Sequence, residues 1–450
     1  MPVCGLAAAA ACLLAAGTAA AAAAAPIIDR RALAERHNVR QTTIDPAAPL
    51  TVGNGEFAFT ADVTGLQTLN ATYVSAPPLQ TMSHWGWHRV PPELANVVPS
   101  SYEFEKVTVA GHTANYATNC TPTPAYNYLR ENPHRINLAR VFLRRLQPAA
   151  KPIVESDLSA PSQTLHLWNG SLASTFTLDS QRVAVDTAVH PTLDVLALRV
   201  CSPLIRRRAL GLGVAFPYAQ TSFAGGTDWH LPTRHTSEVV GSTLNHTMDN
   251  TTYFVQGRLG SASSAAAGAP LFTAGKMSHD WTVAAEPRSD DCVDLTLWFS
   301  REKQRAPPPS AAETFAASAT AWASAWQSGA ALDLAGSTAD GAAELERRVV
   351  LSQYIMMSQE AGTMPPQETG LMTNSWYGKF HLEMRWHHSF HFLLWGRGHL
   401  AQRADGYFQK VREPARQFTK ERQGYAGVRW PKVCVSCVCL CVCACVCVTL

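Results

Sequence analysis

One carboxylate stands among aromatic and hydrogen-bonding side chains in the run Gln367-Glu368-Thr369-Gly370-Leu371-Met372-Thr373-Asn374-Ser375-Trp376-Tyr377-Gly378-Lys379-Phe380-His381-Leu382-Glu383-Met384-Arg385-Trp386-His387. Those residue types suit the cleavage of a glycosidic bond. The rings of Trp376, Tyr377 and Trp386 can cover the C–H faces of a pyranose, while Asn374, Lys379 and His381 hold its hydroxyls. A carboxylic acid held protonated then gives its proton to the departing oxygen, and Glu383 is the candidate for that role. Glycosidases need two carboxyl groups, about 6.5–9.5 Å apart when they invert and about 5–5.5 Å apart when they retain. Glu360 falls at a helix end, where solvation is expected, and Glu368 follows Pro365-Pro366 in a loop. The second carboxylate is therefore expected to be missing.

Each of these residues also has a plainer reading. Trp376, Tyr377 and Trp386 are of the type that packs in cores, and Glu383 sits where the dipole of a starting helix favours an acid. A metal site is the competing chemistry. His387 and His391 are one helical turn apart with His381 and His388 close by, and His84 with His88 repeats the spacing if Trp85-Gly86-Trp87 is helical. No His-Glu-x-x-His run is present, so no metal and no cofactor is assigned.

A length of 450 residues with 46% apolar and only 16% charged side chains is that of a globular chain of two to four domains with a large core. The net charge is +3, and the clusters Arg144-Arg145 and Arg206-Arg207-Arg208 are short and lack aromatic interleaving, so they read as solvated faces and exclude a nucleic-acid partner.

Residues 1–25 are almost entirely Ala and Leu with no charged side chain, and read as a secretory signal peptide ending near Ala25; an uncleaved anchor is the alternative. The expected location is outside the cell or in the endomembrane lumen, with no stable membrane span after cleavage. Five Asn-X-Ser/Thr acceptors fit export: Asn70, Asn119, Asn169, Asn245 and Asn250. Outside the leader and tail only Cys120, Cys201 and Cys292 remain, enough for one bridge whose pair the sequence does not choose. Residues 433–450 alternate Cys and Val, as a TG dinucleotide repeat encodes, and read as translated non-coding sequence; a thiolate tract or a short membrane segment are the other readings. Nothing functional is assigned beyond Lys432.

Between these ends the periodicity changes once. Residues 50–63 alternate around Asn54-Gly55, and strand-like runs follow at 164–168, 193–200, 252–256 and 293–299, which predicts a large β-sandwich over 26–300. Pro307-Pro308-Pro309 then stiffens a linker, and Ser310-Ala311-Ala312-Glu313 has the spacing of a capping box. Phe315, Ala319, Trp322 and Trp326 make one helical stripe that Gly329 terminates, within a linker and connecting helix over 301–338. Further helices are expected over 340–359 and 383–395, the second stopped by Gly396.

Two stretches carry a resemblance to glycoside hydrolase family 65, within the six-hairpin glycosidases. Leu50-Thr51-Val52-Gly53-Asn54-Gly55-Glu56-Phe57-Ala58-Phe59 resembles the strand that opens that family's amino-terminal sandwich, and Gly378-Lys379-Phe380-His381-Leu382-Glu383 is similar to the segment bearing its general acid. The resemblance implies an α+β protein: a sandwich, a linker helix, and an (α/α)6 toroid. It implies Glu383 as proton donor and an oligosaccharide or glycoside as the partner. Phe380 and His381 stand where a Trp-Asp pair grips the terminal sugar in other members, and His381 brings no fixed negative charge, so their disaccharide preference does not transfer. A toroid of twelve helices needs about 300 residues. Residues 339–432 supply only its opening helices, so the expectation is a hydrolase of α-linked glucosides, with water as nucleophile, that lacks turnover as written. A non-catalytic carbohydrate-binding protein and a glycoside phosphorylase are the alternatives.

Overall fold

The computed structural model describes residues 28–74, 77–116, 122–260, 271–275, 278–283 and 291–430, with the backbone of 433–434 and 448–449. The 1–25 segment expected to be a signal peptide, Asn119, Cys120 and most of the Cys/Val tail lie outside these residues. The two described tail pairs bridge to Phe380–His381 and Arg429–Trp430.

Nine antiparallel strands form the main sheet, in the order Val39–Gln41, Leu158–His166, Ser171–Leu178, Gln181–Val189, Val195–Cys201, Cys292–Ser300, Thr251–Leu259, Thr243–Met248 and His235–Val240. Strand Ser171–Leu178 buries every second residue, Leu172, Ser174, Phe176 and Leu178, as a period of two demands. A four-stranded sheet (Phe272–Ala274, Asp280–Val283, Leu210–Ala215, Arg140–Arg145) and a three-stranded one (Leu50–Gly53, Phe57–Ala61, Thr81–Ser83) share its core, where Leu172, Phe176 and Leu198 meet Leu212, Val141 and Phe57. The 50–61 hairpin turns at Asn54, whose Oδ1 accepts from the N–H groups of Glu56 and Phe57 at 2.8 Å each, and at Gly55 with φ +88°. Both of its faces are buried, so Thr51 and Thr60 bond to each other through their hydroxyls at 3.0 Å.

One expectation changes here, and the open cysteine pairing is resolved. Arg144 and Arg145 are not a solvated face. Arg144 donates to Asp280 at 2.5 Å, two strands across the sheet, and Arg145 to Asp157 at 3.0 Å and Asp179 at 2.8 Å, both outside the strands. Cys201 and Cys292 face each other in register on adjacent strands and form the disulfide. That bridge closes a sequence separation of 91 residues, so the double variant Cys201→Ser/Cys292→Ser is expected to lose on the order of 4 kcal/mol in a denaturant titration. An unchanged midpoint would show that the paired strands hold the register unaided.

The helices are α1 (Arg30–Arg36), α2 (Pro124–Glu131), α3 (Pro203–Arg206), α4 (Ala311–Gln327), α5 (Ala342–Gln359), α6 (Met384–Leu394), α7 (Gly398–Gln402) and α8 (Asp405–Phe418). Helix α4 starts at the Ser310/Glu313 capping box, with Ser310 N–H donating to Glu313 at 2.7 Å, and gives way to Gly329 at φ +66°. Its buried stripe is Ala311, Thr314, Ser318, Trp322 and Trp326, shifted from the Phe315/Ala319 stripe because the small Thr and Ser let the helix approach the sheet. Trp326 Nε1 donates to Leu167 O at 2.6 Å, Trp322 stacks on Tyr354 of α5 at 4.6 Å, and Tyr354 donates to Thr51 O at 3.1 Å. The helices are thereby fastened to the hairpin and the main sheet. Helix α6 follows the expected span within a residue at each end, and leaves Trp386, Phe390, Leu393 and Leu394 exposed. No helix among the described residues is long and apolar enough to cross a membrane.

Candidate functional site

The segment that the sequence singles out folds as a strained buried turn. Trp376, Tyr377 and Gly378 take φ of 47°, 59° and 76°, the left-handed region that costs a non-glycine residue about 1–2 kcal/mol. Its surroundings over-determine it. Tyr377 N–H donates to Phe223 O at 3.1 Å, Trp376 packs on Phe223 at 4.6 Å and His381 at 5.1 Å, and Asn374 N–H donates to Gln80 at 2.9 Å. Lys379 turns inward, donating to the carbonyls of Leu129 (3.1 Å), Arg130 (2.5 Å) and Asn132 (3.3 Å), so a cation caps the C-terminal end of α2. Phe380 packs on Tyr407 of α8 at 5.4 Å. Asn374, Tyr377, Lys379, Phe380 and His381 are thus buried, joining helices to sheets. Glu383 and Trp386 are not with them. Glu383 is exposed at the N-cap position of α6, and Trp386, 61% exposed, lies against Phe390 at 3.9 Å.

A Cβ at Gly378 would collide with the Cβ of Arg135, on top of its positive φ. Gly378→Ala is therefore expected to cost about 3 kcal/mol in a thermal or urea melt, and a loss below about 1 kcal/mol would mean the turn relaxes freely.

Glu360 corrects the expectation of a solvated helix end. It is the C-cap of α5, and that end abuts the 54–56 turn, where Gly55 N–H donates to Ser358 O at 2.8 Å. Its side chain is only 8% exposed, and burial drives its carboxyl well above the usual carboxylate range. Oε1 lies 3.8 Å from His388 Nε2, Oε2 has no hydrogen-bond partner among the described residues, and burial pushes His388 down to about 4. Burial thus favours the neutral form of both the acid and the imidazole beside it.

A cleft of about 630 Å³ opens where the sheets meet α8, a volume in the usual range for a small-molecule site. Trp85 and Trp87 lie in its wall with Glu56, Arg89, Arg301 and Lys410, and Tyr407 and Val411 of α8 close the helical side. Trp87 is held on one ring face by the guanidinium of Arg135 at 4.3 Å, while its Nε1 donates to His84 O at 2.8 Å. Arg135 is fully buried, donates to Ser83 O at 2.7 Å, and burial lowers it to about 9. Trp85 Nε1 donates to Asp194 Oδ2 at 2.6 Å, an oxygen that also accepts from Ser83 Oγ at 2.6 Å. Glu56 accepts from Thr363 N–H at 2.6 Å and from its hydroxyl at 3.0 Å. Trp87–His88 is a strand rather than a helix, so His84 and His88 do not form an i, i+4 pair: His84 Nε2 meets Gly55 O at 3.0 Å, and His88 meets Asp249 at 2.9 Å and His134 at 3.1 Å.

None of the residues singled out in 374–386 lines this cleft; Phe380 stands behind its helical wall, against Tyr407. Glu56, Trp85 and Trp87 were missed. Their visible signals were the Gly-Asn-Gly-Glu run and the Trp-Gly-Trp triplet. Among the Asn-X-Ser/Thr triplets, Asn250 is exposed and borders the cleft, whereas Asn70, Asn169 and Asn245 are half-buried.

The chain shares its fold with a putative kojibiose phosphorylase from human microbiome, at a TM-score of 0.58 and 11% identity over 89% of this chain. It spans 52% of that protein. A bacterial glucoamylase complexed with acarbose aligns at a TM-score of 0.40 and 9% identity, over 88% of this chain and 55% of its own. No protein-family model matches, and no curated protein is similar in sequence.

Proposed function

We propose that this chain is a carbohydrate-active protein on a family-65-like glycosidase scaffold, and that binding of an α-linked glucoside in the Trp85/Trp87 cleft is its chemistry. The observation that carries the reading is the cleft wall. Two fixed indoles supply flat apolar faces, and the cations Arg89, Arg301 and Lys410 are matched by the carboxylates of Glu56, Glu302 and Asp194 along the cleft and the cavity adjoining it. Such a lining suits a neutral polyhydroxylated ligand better than a phosphate or an acidic peptide. The phosphorylase fold and the two motifs point to the same ligand class. In this reading 26–300 is the sandwich, 301–338 the linker with its connecting helix, and 339–432 the opening helices of a toroid. The leader and the acceptor triplets support export.

Glu383 remains the proposed proton donor of the scaffold, with water as nucleophile, but it is exposed and outside the cleft lining. A general acid without a covering wall has no dry environment to hold its proton and no sugar oxygen within reach. The whole chain is therefore expected to release no glucose from kojibiose in a sensitive coupled assay, and to form no glucose 1-phosphate when phosphate is added. Turnover that disappears in Glu383→Gln would overturn the binding-only reading and restore the hydrolase.

A further inference from the structure

The cleft does not end at Trp85. A second cavity of about 650 Å³ adjoins it, and the two share Trp85, Thr252 and Arg301 as common wall. The second cavity is built on the central strands of the main sheet. Trp298 and Asp194 line it, and Trp298 pairs in register with Val195, the residue after Asp194, across adjacent central strands of the nine-stranded sheet. Asp194 is buried, and the donors Ser83 Oγ and Trp85 Nε1 both reach its Oδ2. Gln304 adds an amide to the same wall. Ring, carboxylate and amide recur here (Trp298, Asp194, Gln304) as in the first cavity (Trp87, Glu56, Asn250), from different parts of the chain.

We propose that the two cavities form one continuous groove for a neutral oligosaccharide of three or more sugar units, with Trp298, Asp194 and Gln304 as a second set of subsites beyond Trp85. This rests on the carbohydrate reading above and adds the length of the ligand to it. Trp85 lies at the joint, with its indole N–H fixed on Asp194, so a single side chain bounds both halves. Each cavity has the volume of a small-ligand site, so a disaccharide in one leaves the other open to solvent.

The test is titration calorimetry of the whole chain with maltose and maltopentaose at one temperature and pH. The pentasaccharide is expected to bind about tenfold more tightly than the disaccharide. Trp298→Ala and, independently, Gln304→Ala are expected to bring the pentasaccharide down to the affinity of maltose, with a circular-dichroism melt confirming that each variant folds. Gln304 lies outside the strands, so its variant keeps the test open if Trp298→Ala does not fold. Equal affinity for the two sugars, or a length gain that survives both substitutions, would overturn the groove while leaving the single-cavity reading intact. Absence of binding by either sugar would overturn both.

Discussion

Trp87→Ala is expected to weaken α-glucoside binding at least about thirtyfold while the chain still folds, because removal of a central aromatic anchor from a binding site costs about 2 kcal/mol or more. The indole is preorganised: Arg135 covers one face at 4.3 Å and His84 O accepts its N–H at 2.8 Å, so no side-chain freedom is lost when a sugar docks. Trp87 is half-buried on a short strand, which limits the damage to packing. Trp87→Phe keeps a flat face and is expected to recover part of the affinity. Calorimetric titration of both variants checks this, and wild-type affinity in Trp87→Ala would remove the cleft from consideration.

Lowering the pH from 7 to 5 is expected to destabilise the fold by on the order of 4 kcal/mol, read from urea midpoints. Burial pushes His84 and His388 down to about 4 and His134 to about 3, and pushes His246 far down as well. These rings stay neutral in the folded chain, whereas the unfolded chain protonates them below about 6.5, so stability present above that pH is lost as it falls toward the folded values. His84 and His134, fully buried, each contribute about 2 kcal/mol of the loss by pH 5. Buried acids oppose it. Asp62 and Asp194 are raised to about 6 by burial, so their folded forms take up protons first and gain stability between about 6 and the ordinary carboxylate range, and burial shifts Glu360 in the same direction. The histidines outnumber them, which sets the sign. A midpoint that rises between pH 7 and pH 5 would show that the carboxyls dominate.

Local signals in the sequence led to local structure. The Ser310/Glu313 box, Gly329 and Gly396 bound helices where the residue types demand caps and left-handed stops, and the Asn54-Gly55 pair made its turn. Strand runs were located but cut short, since 164–168 lies at the end of Leu158–His166 and beyond, because edge residues such as Ser159 and Ser162 carry no apolar pattern. The cleft was illegible for a different reason. Its wall is gathered from residues 56, 85–89, 250–252, 301 and 407–411, which only the sheet register and the docking of α8 bring together. The burial of Glu360 is not legible in its sequence neighbours because it comes from a tertiary contact between the end of α5 and the 54–56 turn. The 374–386 segment was conspicuous because a buried turn with three left-handed residues needs aromatic and hydrogen-bonding side chains to hold it. The same residue types serve a sugar site, and composition does not separate the two uses.

The most direct measurement is a crystal structure of the whole chain grown with saturating kojibiose. The account predicts a sugar ring in van der Waals contact with Trp87 or Trp85, with a hydroxyl bonded to Glu56. A ring seated instead against Glu383 and Trp386 on α6, or a cleft that stays empty of sugar at saturation, would contradict it.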